Sequence, residues 1–188
     1  MRRLMRYLAA ASLVAMTTTG CGYNKIQAKD EAVNRALGDV KAQLQRRADL
    51  VPNLVEVVKG VARQESTVFI GVAEARSKVA GAVQNGGPAE LAQADAAMKQ
   101  SLSRLLAVVE SYPELKSNQN FLDLQSQLEG TENRISVARQ DYNAAVNDFN
   151  AFIRTFPYNI TAKVTGNGKP REYFQTTAGA ETAPKVKF

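Results

Sequence analysis

Apolar side chains return at steps of three and four along most of this chain. Such steps gather them on one face of a helix, as a stripe that needs a partner surface. The first stripe is Ile26, Val33, Leu37, Val40 and Leu44, and it predicts a helix over 25–47, with Asp30 in the gap. Asp49-Leu50-Val51-Pro52 then reads as a break, because proline lacks an N–H and is tolerated best in a first turn. A second helix is expected over 52–83, with Val55, Val58, Phe69, Val72 and Val79 inward and Glu65 and Arg76 on the same stripe. Gln84-Asn85-Gly86-Gly87-Pro88 is a turn by composition. A third helix over 88–111 carries Leu91, Met98, Leu102, Leu105 and Val109, and Tyr112-Pro113 ends it.

The fourth stripe, expected over 118–155, is the most regular. Phe121, Leu124, Leu128, Thr131, Ile135, Ala138, Tyr142, Ala145, Phe149 and Phe152 alternate steps of three and four, and only Thr131 is polar. A repeat of this kind favours coiled-coil-like packing at a shallow crossing angle. Phe156-Pro157 closes the helix. Four amphipathic helices with short connections must close over one another. The expectation is therefore an all-α protein, an elongated antiparallel up-down four-helix bundle over 21–157. An irregular C-terminal extension over 158–188 follows, partly flexible, with room for a short strand or hairpin.

The first 20 residues have a different character. Arg2, Arg3 and Arg6 precede a short apolar run, Tyr7 to Met16, and a small polar stretch, which is the three-part shape of an export signal. The run is shorter than the ~20 residues that span a bilayer. Cys21, the single cysteine, stands where the segment ends, so the junction resembles bacterial lipoprotein signals. Gly20 fits the position before the lipidated cysteine, while Thr18 occupies a place where leucine is usual. Cleavage would remove three basic residues and no acidic one, lowering the net charge from +6 to +3. That balance, with no basic cluster beyond Arg46-Arg47, gives no footing for nucleic acid.

Candidate chemistry is sparse. The chain has no histidine, which removes the commonest general base and a common metal ligand. One cysteine provides no thiolate cluster for zinc. Gly166-Asn167-Gly168-Lys169 lacks the full spacing of a phosphate loop and reads as a turn. Glu65 and Glu132 remain, and a buried carboxylate pair can act as acid and base or bind a hard cation. The favoured reading instead pairs them with Arg47, Arg76 or Arg139 across the bundle, fixing register. Beside the fourth apolar stripe runs a polar one: Glu132, Ser136, Arg139, Asn143, Asn147 and Asn150. Asparagine is a poor helix former, so its recurrence asks for a reason. Hydrogen bonds to neighbouring helices are one, and a groove that receives a partner segment is another.

A set of short motifs resembles the LemA family. It comprises Tyr23-Asn24, Gln43, Arg46-Arg47, Asp49-Leu50-Val51-Pro52-Asn53-Leu54-Val55, Val58-Lys59-Gly60, Glu65 and Ala75-Arg76, then Glu110, Tyr112-Pro113 and Leu115-Lys116. It ends with Asn120-Phe121, Leu124, Leu128, Thr131-Glu132, Ile135, Ala138-Arg139, Tyr142-Asn143, Phe149-Asn150 and Phe156-Pro157. The resemblance implies an antiparallel four-helix bundle on an N-terminal membrane anchor, with no established catalytic activity. Two departures stand out. Family members commonly begin with a transmembrane helix where this chain has the Cys21 signal, and many carry histidine where it has Gln64.

These readings converge on a non-enzymatic lipoprotein of the bacterial cell envelope, without metal or cofactor. It would be tethered by lipid on Cys21 and serve as a scaffold or binding module for an envelope protein. In a Gram-negative host, Gly22 after the cysteine favours the outer membrane, facing the periplasm. The rival readings are a small-ligand or metal-binding bundle using carboxylates and an enzyme of unknown type. Self-assembly through the regular fourth seam is a further expectation.

Overall fold

The computed structural model describes residues 2–175, with side chains described from residue 22 onward. The side chains of the expected signal segment and of Cys21 lie outside those described, as does the tail beyond residue 175. Among the described residues there are six helices and no strand: α1 (Arg2–Val61), α2 (Ser66–Asn85), α3 (Pro88–Glu110), α4 (Pro113–Lys116), α5 (Gln119–Phe152) and α6 (Tyr158–Val164). The protein is all-α, as its periodicity predicts. Two compact units divide the chain. One holds the described residues up to Ala36 together with Asp141–Glu172, and the other holds Leu37–Gln140 with the described residues from Tyr173.

The second unit corrects the expected break between the first two helices. Helix α1 does not stop at Asp49–Pro52 but runs through Pro52 to Val61. A proline inside a helix removes the N–H that would bond the carbonyl four residues back, here that of Ala48. Arg76 of α2 supplies the missing donor, its Nε lying 3.2 Å from the Ala48 carbonyl oxygen. The helix therefore loses one internal bond without leaving a buried acceptor unmet. The real turn comes at Ala62–Glu65, after Gly60 has weakened the last helical turn. There the Glu65 carbonyl accepts from Val68 and Phe69, at 3.1 and 3.3 Å, and starts α2. Val51, Val55, Val58 and Ala62 are all buried, so the stripe is continuous even though the expected boundary was misplaced.

Helices α2 and α3 pack as a hairpin across Gly86-Gly87, and Ser101 Oγ donates to the Gly71 carbonyl at 3.2 Å. The turn requires glycine: a Cβ at Gly86 would lie 2.6 Å from the Ala82 oxygen. Pro88 opens α3 with its ring in the first turn, and the Glu90 carboxylate accepts from the Gly87 N–H at 3.0 Å. Asn118 caps α5, its Oδ1 accepting from Phe121 N at 3.2 Å. All ten positions of the fourth stripe are buried or half-buried. The seams of this unit close over Val40, Leu44, Leu54, Met98, Leu105 and Ile135, none more than 1% exposed. Each such side chain contributes roughly 1.5–3 kcal/mol.

The first unit sets Ile26 and Val33 of α1 with Val146, Phe149 and Ile153 in its core. Its second correction concerns the chain after Pro157. Where a short strand or hairpin had room, Tyr158–Val164 forms α6. Ile160, Thr161 and Val164 have strand propensity, but packing overrides it. Ala162 is fully buried, the Tyr158 ring stacks on Phe152 at 4.2 Å, and both fall on one face of a helix. Gly166, at φ +80°, ends the turn after α6, and the chain continues without regular structure through 169–175.

Candidate functional site

The most concentrated chemistry is a charged layer inside the second unit. Arg47 of α1, Asp95 of α3 and Thr131 of α5 are its buried members, only 2–3% exposed. Each occupies a regular place in an otherwise apolar seam. Arg47 continues Val40 and Leu44, Asp95 falls between Leu91 and Met98, and Thr131 between Leu128 and Ile135. Helix geometry thus aims three polar groups into the core.

Their bonds saturate one another. Arg47 Nη1 lies 2.7 Å from Asp95 Oδ1, its Nη2 bonds Glu132 Oε2, and its Nε reaches Thr131 Oγ1 at 3.4 Å. Lys99 bridges both acids, at 2.6 Å to Glu132 and 3.3 Å to Asp95. Arg139 Nη1 approaches the same Asp95 oxygen as Lys99, Oδ2, at 3.7 Å. The Thr131 hydroxyl donates to the Leu128 carbonyl at 2.7 Å. Burial alone would raise the Glu132 carboxyl, but the Lys99 hydrogen bond and the charge of Arg47 outweigh it and hold the group below the ordinary carboxylate range. Glu132 and Lys99 open onto a shallow recess of about 320 Å³ between α3 and α5.

Of the residues singled out by sequence, Glu132 and Arg139 thus enter one network. Arg139 also donates to the Gln175 carbonyl at 3.2 Å and lies 4.5 Å above the Phe174 ring. Glu65 is not brought to them: it stands half-buried at the start of α2, beyond the end of α1. Val61 is already roughly 20 Å along α1 from Arg47. The contemplated Glu65–Glu132 carboxylate pair therefore does not form. Arg76 is exposed rather than part of the buried stripe. Its head group serves the Ala48 carbonyl and borders a groove of about 440 Å³ between α1 and α2. Among the described residues no cluster of three acidic, histidine or cysteine side chains is placed to hold a metal ion.

Sequence reasoning passed over Asp95 and Lys99. The signal was present: Leu91, Asp95, Met98, Leu102, Leu105 and Val109 step by four and three without a gap, so Asp95 is a seam position.

The asparagines of the polar stripe belong to the first unit. Asn150 is 5% exposed, and its side-chain amide forms two bonds with the Arg171 backbone. Its Nδ2 donates to the Arg171 oxygen at 2.9 Å, and its Oδ1 accepts from the Arg171 N–H at 2.7 Å. Tyr142 donates to the Glu172 carbonyl at 2.8 Å. Burial pushes its phenol up, against the pull of the Arg171 charge, which keeps the donor protonated. Arg171 also forks onto Asp30 of α1, Nε and Nη2 lying 2.9 and 2.8 Å from its two oxygens. Asn143 is half-buried and Asn147 exposed, and both are engaged in interactions. In this unit the stripe thus receives a segment of its own chain at Asn150.

Residues 36–188 match the LemA family. The chain belongs to the LemA family. Within reach of this LemA chain are the magnetosome proteins MamQ 1 and MamQ 2 of Paramagnetospirillum magneticum. Each is 29% identical over 199 residues, covering 93% of this chain and 73% of the relative. MamQ of Magnetospirillum gryphiswaldense is 27% identical over 204 residues, covering 96% and 75%. Among the described residues of this LemA protein, no helix is long and apolar enough to cross a membrane.

Proposed function

We propose that this LemA protein is a non-enzymatic, membrane-tethered scaffold of the bacterial envelope, its helices arranged as an antiparallel up-down bundle. The observation that carries the reading is the mutual pairing within the charged layer. Arg47, Lys99 and Arg139 engage Asp95 and Glu132, so the buried pair, Arg47 and Asp95, and the half-exposed charges around it are committed to one another. A general base needs a free lone pair within reach of a substrate proton. Here those lone pairs hold helices in register, a role that buried polar groups fill in helical bundles. The membrane part of the reading draws on the export signal and on Cys21, whose acyl chains would each anchor by about 0.8 kcal/mol per CH₂. The relatives named as magnetosome proteins support a place at a membrane, and the helical faces supply the surface for an extracytoplasmic partner.

The test is crosslinking in native membranes with recovery of partners. Wild-type protein should float with membranes and capture a discrete envelope protein. Cys21→Ser should leave the membrane fraction and lose that partner. Membrane retention of Cys21→Ser would contradict the lipid anchor, and absence of a reproducible partner would contradict the scaffold.

A further inference from the structure

The outer face of α6 is left uncovered in a place that favours one kind of occupant. The inner face is packed: Ala162 is fully buried and Tyr158 stacks on Phe152. At 100° per residue, Ile160 and Val164 fall on the opposite side, with Lys163 beside them. They are 56% and 81% exposed, and Phe156, just before the helix, is 75% exposed. Three large apolar side chains within nine residues are thus turned to solvent, while Ile26, Val33, Val146, Phe149 and Ile153 of the same unit are buried.

Two observations say what covers them. The first is position. Helix α6 lies directly on α1 at Gly22, where an added Cβ would meet Tyr158 Cδ1 at 3.0 Å and Thr161 Oγ1 at 3.5 Å. Gly22 is covalently next to Cys21. An α-helix with its side chains is about 10 Å across, so the exposed face stands roughly that far from the anchor residue. An interfacial helix typically sinks about 5–10 Å into the headgroup region, which is the same scale. The second is charge. From Phe149 to Arg171 the chain carries Arg154, Lys163, Lys169 and Arg171 and no acidic residue. Arg171 is engaged with Asp30, while Arg154, Lys163 and Lys169 make no ion pair among the described residues.

We infer that Phe156, Ile160 and Val164, flanked by Arg154, Lys163 and Lys169, dock on the anionic surface of the bilayer that holds the anchor. The inference rests on the membrane-tethered reading above and adds a second contact to it. The lipid alone leaves the protein free to swivel, whereas an apolar and basic face beside the anchor fixes which side of the first unit meets the headgroups.

The chain has no tryptophan, so one introduced indole reports on a single site. Full-length Ile160→Trp, with Val164→Trp as a second reporter, is reconstituted in phosphatidylcholine–phosphatidylglycerol vesicles carrying brominated acyl chains. Val137→Trp, at an α5 position 56% exposed, is the comparison. Flotation reads the anchor and bromine quenching reads the face. Floated Ile160→Trp should emit to the blue of Val137→Trp and be quenched several-fold more. Adding Lys163→Glu and Lys169→Glu should reduce that quenching. Equal quenching of the two reporters in floated protein overturns the docking face while leaving the anchor intact. A blue-shifted but unquenched indole places the face against a second copy and also overturns it. Failure to float removes the anchor and the docking face together.

Discussion

The two units solve the same problem, how to bury polar groups among helices, with different chemistry. In the second, full charges meet: Arg47 lies between Asp95 and Glu132, with Lys99 and Arg139 at the margin. In the first, neutral groups meet: the Asn150 amide and Tyr142 hydroxyl bind the backbone of Arg171 and Glu172. The charged layer specifies partners between helices, since each ion tolerates only its counter-ion in the core. The neutral clamp specifies where one irregular segment lies, since an amide matches any backbone N–H and carbonyl pair. Removing one member should therefore cost more in the charged layer, because a buried ion is left behind rather than a dipole.

The largest expected effect is that of Asp95→Ala. It strips Arg47 of its shortest fully buried partner and should cost about 3–5 kcal/mol of stability in chemical denaturation. A loss under about 1 kcal/mol would show that Arg47 is adequately held without it. Next comes Asn150→Ala, which leaves the Arg171 N–H and carbonyl without their partner and should cost about 1–3 kcal/mol. Limited proteolysis should then cut the segment around Arg171 much faster, and unchanged cleavage would mean that the clamp does not hold that segment.

Arg76→Met should cost about 1–2 kcal/mol by orphaning the Ala48 carbonyl. In a Pro52→Ala background, where the helix regains its own N–H, the same change should cost much less. Equal costs in both backgrounds would separate Arg76 from the proline. The smallest effect concerns pH. Because the Glu132 carboxyl is held low in the folded state, its contribution is complete above the ordinary carboxylate range and disappears as pH falls through the folded-state value. Side-chain exposure of 44% keeps that contribution modest. Thermal melts between neutral and acid pH should fall less steeply for Glu132→Gln than for wild type, and parallel slopes would remove Glu132 from the acid response.

The helical fold was legible because a periodic apolar seam is local information. The ten inward positions of α5 follow from spacing alone, and so does the turn at Gly86-Gly87. The break assigned to Pro52 failed for a non-local reason. A proline ends a helix when its orphaned carbonyl has no other donor, and the donor here is Arg76, 28 residues away. Helix α6 failed similarly, since its stability comes from burying Ala162 and stacking Tyr158 rather than from its own propensities. The site was half legible. Glu132 and Arg139 announced themselves as charges beside a seam, whereas Asp95 was hidden by an apolar reading of the seam it interrupts. The asparagine stripe was visible, but spacing does not tell whether its guest is another protein or the chain's own Arg171.

The central claim is that the buried charges serve architecture, and a double-mutant cycle on Arg47 and Asp95 tests it most directly. Arg47→Met, Asp95→Leu, the pair of changes together and wild type are compared by equilibrium unfolding. Each single change should be strongly destabilising, by about 3–5 kcal/mol, and the double should lose less than either single, so that the coupling between the sites exceeds either single loss. Additive losses, with the double the least stable of the four, would contradict it.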